Sequence, residues 1–237
     1  MATHVWIDVH GWALRDSLLT SVALSAALAL GAALLSRRLA KGREAAVPAA
    51  AEAIYTLMRD AVAEVVPEAR IDAVLPFIGT LWLFILSSNL VGLVPGLSAP
   101  TRDLSVTAAL AVIVFVAVHF YGVRQAGWAA YLRHYLAPSP LLLPFHLVSE
   151  VTRTLALAVR LFGNMMSLQM AAALVLLVAG LLVPVPLLLL HVIEALVQAY
   201  IFGMLALIYV GSALEVSSAH GGEASGAGNP SSARETP

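Results

Sequence analysis

The chain has 237 residues, of which 60% are hydrophobic and 11% charged, and its mean hydropathy is +0.90. A soluble domain carries about 25% charged residues, so the composition excludes a soluble globular protein and predicts an integral membrane protein. The formal net charge of −1 gives no basis for nucleic-acid binding. The absence of cysteine excludes disulfides and thiolate metal sites. We predict no metal and no cofactor.

Five apolar stretches are long enough to cross about 30 Å of hydrocarbon as helices. The predicted spans of this all-α protein are 17–35, 74–94, 104–123, 144–183 and 186–216. Basic residues follow the first span, as Arg37, Arg38, Lys41 and Arg43, whereas a signal peptide carries its charges in front. We therefore predict a retained span. Because basic residues collect on the cytoplasmic side, the N-terminus is predicted outside and the C-terminus in the cytoplasm.

An amphipathic helix is predicted over residues 49–66, between the first two spans. Apolar residues recur at helical spacing on one side of it, namely Ile54, Leu57, Met58, Ala61, Val62 and Val65. The opposite side carries Glu52, Arg59, Asp60 and Glu64. This pattern predicts a helix on the cytoplasmic face, with lipid and protein as alternative partners. The Gly- and Ser-rich segment 217–237 is predicted to be disordered.

The last two spans are unusually long. A continuous helix over 145–183 would measure about 58 Å, and one over 186–216 about 46 Å. Both exceed the bilayer core, so they must tilt, break or lie along the interface. The turn from Val183 to Pro186 joins them, and we predict a steeply tilted hairpin. A kink at Gly163 is left open.

Arg160 lies near the middle of the first long helix. A charge at that depth costs at least ~2.5–3.5 kcal/mol even on insertion scales, so it is a functional candidate by default. A snorkelling or structural arginine is the alternative. Helical spacing places Arg153, Asn164 and Ser167 on the same stripe as Arg160.

The second long helix carries His191, Glu194 and Gln198 on one face, and we predict that Gln198 hydrogen-bonds Arg160. Counting from the turn between the two helices divides the polar residues by depth. The predicted outer group is Asp103, Gln169, His191 and Glu194. The predicted cytoplasmic group is Ser149, Glu150 and Arg153. Polar groups on either side of a permanent cation suggest two aqueous half-paths, and arginine suits the barrier because it stays charged.

Structural alternatives apply to each of these residues. His191 is also explained as a hydrogen-bonding partner between helices, and Asn164 and Gln169 as polar contacts that hold helices together. Glu150 and Arg153 also suit a plain interfacial ion pair. Asp103 also suits an N-cap of the third span.

Four segments in order carry a family resemblance, and they lie between residues 88 and 211. They are SNLVGLVP (88–95), PTRDLSVTAALAV (100–112), LALAVRLFGNMM (155–166) and HVIEALVQAYIFGMLALIYVG (191–211). The chain thereby resembles subunit a of the F-type ATP synthase, and His191 and Gln198 occupy the family's His and Gln positions. It departs from the family at Gln169, where an acidic residue is common. Glu194 on the facing helix is a candidate substitute for that carboxylate.

The resemblance implies a non-catalytic stator in the inner (plasma) membrane, beside a rotating ring of c subunits. Half-channels would carry ions to and from the ring carboxylates, with Arg160 as the barrier between them. It further implies contacts with subunit b of the peripheral stalk, with the rest of the F1Fo complex and with lipid. The coupling ion is left open between H+ and Na+. A stand-alone secondary transporter is a weaker alternative, since no internal repeat is found. An intramembrane hydrolase is weaker still, since HExxH and GxSxG are absent.

Overall fold

The structure is a computed structural model that describes residues 5–9, 12–40, 49–94, 99–128, 143–179 and 184–226. Several predictions concern residues outside these ranges. They are the turn at Val183, the basic positions Lys41 and Arg43, and the segment 227–237.

The described chain is helical apart from one short hairpin. Strands β1 (Val5–Val9) and β2 (Trp12–Arg15) pair antiparallel at the start of the chain. The helices that follow are α1 (Asp16–Ala40), α2 (Ala49–Ala63), α3 (Glu68–Val91), α4 (Leu104–Ala126), α5 (Leu143–Ala179) and α6 (Pro184–Gly226). A 3-10 turn at Pro100–Arg102 precedes α4. Five of these helices, all except α2, are long and apolar enough to cross a membrane. The predicted all-α membrane fold is confirmed, and the hairpin adds to it.

The start of α3 and the end of α6 differ most from the predicted spans. Helix α3 begins at Glu68, directly after Pro67, and Arg70 in its first turn donates from Nη1 to the Leu214 carbonyl at 3.2 Å. This bond ties the start of α3 to the end of the apolar part of α6. Helix α6 continues to Gly226, so helical backbone occupies the first part of the segment predicted to be disordered. Helix α5 runs through Gly163 without interruption.

Small residues let α3 and α6 approach closely. Ala195, Ala199, Gly203 and Gly211 lie along one buried side of α6 at spacings of four or eight. A Cβ at Gly203 would lie 1.7 Å from Trp82 Nε1, so only glycine admits the indole at this position. The same Nε1 donates to the Tyr200 carbonyl at 3.3 Å. In a lipid environment such close backbone packing is a main source of helix association.

Helix α2 folds back along α3. Val62 and Val66 are fully or almost fully buried in the core, and Met58 Sδ lies 3.5 Å from where a Cβ at Gly79 would be. Ile54 and Leu57, nearer the start of α2, remain 46% and 66% exposed. The later half of the apolar side of α2 therefore packs on protein of the same chain.

Candidate functional site

Arg160 stands on the exposed side of α5. Within the described residues it makes no hydrogen bond and no ion pair. Its guanidinium carries five donors and a permanent charge, and none of these donors bonds to a described residue. An unpaired cation in a helix of membrane-spanning length points to a group supplied from outside the chain.

The surface around Arg160 is apolar and open. Leu155, Val159, Met166 and Met170 are 60%, 52%, 40% and 53% exposed, and their spacing places them on the same broad side of α5. Gly163 belongs to this side, and nothing lies within 4 Å of where its Cβ would be. The glycine is therefore not required for packing within the described chain; it leaves space one turn from the cation.

Asn164 and Gln198 join α5 to α6 beside this surface. Asn164 Nδ2 donates to Gln198 Oε1 at 2.6 Å, while Gln198 Nε2 is buried without a partner. The prediction that Gln198 hydrogen-bonds Arg160 is therefore wrong, because the partner of Gln198 is Asn164. Asn164 lies one turn further along α5 than Arg160, and it is this side chain that reaches Gln198. The predicted role of Asn164 as a contact between helices is borne out geometrically.

Gln169 meets a residue that sequence inspection did not select. Arg102 Nη1, in the 3-10 turn, donates to Gln169 Oε1 at 3.0 Å. The amide nitrogen of Gln169 reaches the end of α3, where a Cβ at Gly92 would lie 3.4 Å from Nε2. Gln169 thus bridges the turn before α4 and the C-terminal end of α3.

Asn89 is the centre of the same cluster, which we call the outer cluster (Asn89, Thr101, Arg102, Gln169 and His191). His191 Nε2 lies 3.2 Å from the Asn89 carbonyl oxygen, a contact that requires the proton on Nε2. Thr101 Oγ1 donates to Asn89 Oδ1 at 2.7 Å. Asn89 and Thr101 have no exposed surface. The outer cluster therefore links α3, the 3-10 turn, α5 and α6 through buried polar contacts.

The other two residues of the predicted outer group, Asp103 and Glu194, are not members of the outer cluster. Asp103 is the N-cap of α4, as predicted, since its Oδ1 accepts from the Ser105 amide at 3.0 Å. Its Oδ2 accepts from Ser17 Oγ at 2.6 Å, which ties the turn to α1. Glu194 lies one turn after His191 on α6 and is partly exposed. The structure thus brings Gln169 and His191 into one network and holds Asp103 in another.

The predicted cytoplasmic group contains an ion pair. Arg153 Nη1 and Glu150 Oε1 are 3.5 Å apart, in the i, i+3 arrangement predicted for an interfacial pair. The Arg153 guanidinium also lies over the Tyr209 ring, 4.5 Å from its centroid. This second cation of the stripe is therefore engaged inside the chain by two partners, in contrast to Arg160.

Sequence inspection missed Asn89, Thr101 and Arg102 as members of the site. Asn89 could have been selected from the sequence. A polar side chain within the apolar run of α3 is costly in a membrane, as is the charge of Arg160. Thr101 and Arg102 lie in a turn, where polar residues are ordinary, and no pattern connects them with Gln169. Within the described chain, no group of three or more His, Asp or Glu side chains is arranged to hold a metal ion.

The described features define a class of protein: a multi-pass membrane protein whose fifth helix carries an exposed arginine without a partner among the described residues. The profile of the family "ATP synthase A chain" matches residues 18–211. The chain belongs to this family, and its stator role in the membrane sector of an F-type ATP synthase follows from that membership.

Named relatives agree with the family. ATP synthase subunit a 1 of Hahella chejuensis is 52% identical over 217 residues, which cover 91% of each chain. ATP synthase subunit a 2 of Pelobacter propionicus is 56% identical over 203 residues, covering 86% of this chain and 88% of the relative. ATP synthase subunit a of Legionella pneumophila is 58% identical over 164 residues, covering 69% and 71%. The chain is therefore part of a complex with other subunits of that enzyme, and nothing in these likenesses favours sodium over protons.

Proposed function

We propose that the chain provides two proton half-channels that meet at Arg160. One half-channel opens to the outside along the outer cluster and Glu194. The other opens to the cytoplasm along Glu150 and Ser149. Each half-channel delivers protons to, or receives them from, carboxylates on a rotating ring of c subunits that passes the exposed side of α5.

The observation that carries this proposal is the contrast between the two arginines of one stripe. Arg153 has Glu150 and the Tyr209 ring as partners, whereas Arg160 is exposed and has no partner among the described residues. A desolvated cation of this kind requires a counter-charge, and a carboxylate of a neighbouring subunit supplies it. Arg160 then attracts the deprotonated carboxylate and blocks direct passage of protons between the half-channels, because a guanidinium stays protonated.

The surface around Arg160 suits a moving partner. Exposed aliphatic side chains and the open space at Gly163 form an apolar face with few hydrogen-bonding groups. Such a face offers little specific attachment, so helices of a ring can slide past it. Each proton that crosses a potential of 100 mV supplies about 2.3 kcal/mol, and the ring adds these steps together for ATP synthesis on the partner subunits.

The remaining parts of the proposal concern placement. We propose that the N-terminus lies outside and the C-terminus in the cytoplasm, and the basic residues at the end of the first span support this orientation. The membrane is the inner (plasma) membrane. Helix α1, whose apolar stretch has no buried residue, is available for lipid and for subunit b of the peripheral stalk.

The test is ATP-driven proton pumping and proton-driven ATP synthesis in membrane vesicles that contain the complete enzyme. Arg160→Ala is expected to abolish both while the chain remains inserted and assembled. Arg124→Ala, which removes an exposed cation at the end of α4, is the matched control and should retain activity. Coupled synthesis in the Arg160→Ala enzyme would refute the barrier role.

The same vesicles test the coupling ion. Pumping is measured with sodium varied and with a protonophore added. Proton coupling predicts that the protonophore collapses the gradient and that sodium has no effect on the rate. A sodium requirement that persists with the protonophore would instead establish sodium coupling.

A further inference from the structure

The oxygen acceptors that hold the outer cluster together are already engaged. Gln169 Oε1 accepts from Arg102, and Asn89 Oδ1 accepts from Thr101. The Asn89 carbonyl oxygen is in contact with His191 Nε2. The donors left over include the remaining N–H groups of Arg102 and the buried, unpartnered Nδ2 of Asn89, and no side chain of the outer cluster is a carboxylate. This side of the outer half-channel is therefore electropositive.

We propose that Arg102 closes the Gln169 side of the outer half-channel to cations. The inference rests on the proposed function. A cation binds through oxygen ligands, and a guanidinium keeps its charge at every relevant pH. With Oε1 held by Arg102, Gln169 presents its amide nitrogen to the end of α3, where it cannot coordinate a cation.

The fold keeps Arg102 in place. It ends the 3-10 turn Pro100–Arg102, whose Pro100 and Thr101 are buried. On the next residue, Asp103 is held by Ser17 of α1 and by Ser105 of α4. Within the described residues Arg102 forms no ion pair, so its charge is not neutralised by a carboxylate of those residues.

Glu194 is the carboxylate next to His191 on α6. It lies three residues further along α6, on the side of the helix shared with His191, and it is partly exposed. An ion that avoids Arg102 therefore finds a carboxylate one turn from the imidazole. Arg102 is in this sense a positioning residue that selects the route and does not itself bind the ion.

The absence of native cysteine allows a direct measurement of local charge. Gln169→Cys is introduced into the complete enzyme in vesicles. Its reaction rates with a cationic and an anionic methanethiosulfonate of similar size are compared, first with Arg102 present and then with Arg102→Gln. The ratio of anionic to cationic rate should fall about sixfold or more on removal of Arg102, because one unit charge within about 8 Å changes the two rates in opposite directions by this much in total even at the dielectric constant of water.

Two further variants make the result decisive. Arg102→Lys keeps the charge and should keep the high ratio, and Glu194→Cys should show a smaller change on Arg102→Gln than Gln169→Cys does. An unchanged ratio at Gln169→Cys in the Arg102→Gln enzyme overturns the proposal, and so does a ratio in Arg102→Lys as low as in Arg102→Gln. Labelling does not require ion transport, so such a failure leaves the role of Arg160 untouched, and the Arg160→Ala test bears on that role alone.

Discussion

Asn164 on α5 donates a 2.6 Å hydrogen bond to Gln198 on α6, one helical turn from Arg160. Helical spacing places these two side-chain amides near Arg160. They bond to each other and not to its guanidinium. The bond also joins the two long helices at the level where we propose that ions are exchanged. It therefore holds α5 and α6 together, and it leaves the Arg160 guanidinium available to a partner.

Breaking this bond should destabilise the helix pair by a small, measurable amount. Asn164→Leu and Gln198→Leu each leave one amide buried without its partner, so the double variant should lose less stability than the two single losses added. The expected coupling is about 0.6 kcal/mol and at most ~1.7 kcal/mol, as for hydrogen bonds between other membrane helices. A double-mutant cycle on the free energy of unfolding in detergent measures it, with Ser167→Ala on the exposed side of α5 as control. Strict additivity would show that the bond contributes nothing.

Gly203 and Gly31 form a matched pair of helix glycines. Gly203→Ala places a Cβ against the Trp82 indole, so we expect a loss of about 1–3 kcal/mol in the free energy of unfolding, as for overpacking in cores. Nothing lies within 4 Å of the Cβ position at Gly31, so Gly31→Ala should be neutral or stabilising by up to ~1 kcal/mol. Equal effects of the two substitutions would contradict the close contact between α3 and α6.

Gly163→Leu should separate folding from function. The new side chain has open space in the isolated chain, so insertion and the free energy of unfolding should change little. It would, however, project from the exposed side one turn from Arg160, where the proposed ring passes. ATP synthesis in vesicles should therefore fall by tenfold or more, and Gly163→Ala should retain most of it. Full activity of Gly163→Leu would show that no partner approaches this side closely.

Substitutions at His191 and Glu194 should slow the delivery of ions more than they impair assembly of the enzyme. Glu194→Gln removes a charge and no described hydrogen bond, and we expect it to slow proton-driven synthesis by about tenfold. His191→Ala also leaves the Asn89 carbonyl without its imidazole partner, so it should reduce both the rate and the stability, the latter by about 1–3 kcal/mol. Ser212→Ala, whose hydroxyl bonds only locally to Tyr209, is the control on the same helix. Unchanged rates in both variants would make the cluster structural.

The sequence pattern predicted the helices well because hydrophobic length alone decides a membrane span. All five predicted spans coincide with described helices, and Arg160 was identifiable from the cost of one charge in an apolar run. The N-cap role of Asp103 followed from its position before such a run. These features depend on residues close together in sequence, which periodicity and capping rules describe directly.

Contacts between distant segments were not predictable in the same way. Helical spacing placed Gln198 near the middle of α6, but it did not fix which turn of α5 lies opposite, so Arg160 was chosen in place of Asn164. The bond between Arg102 and Gln169 joins residues 67 positions apart, and it depends on how the turn before α4 docks among the helices. The hairpin β1–β2 lies in a segment whose pattern suggested no regular element.

The contact between Trp82 and Gly203 has a mechanical consequence. The proposed ring, if driven past α5 and α6, would push them sideways, and a stator must transmit this force to other parts of its structure. The Trp82 indole of α3 occupies the space that a side chain at Gly203 of α6 would fill. This contact resists sliding of α6 along its axis relative to α3. At the other end, the bond from Arg70 to the Leu214 carbonyl opposes separation. The load on the two long helices is thereby carried into α3, and through it into the rest of the chain.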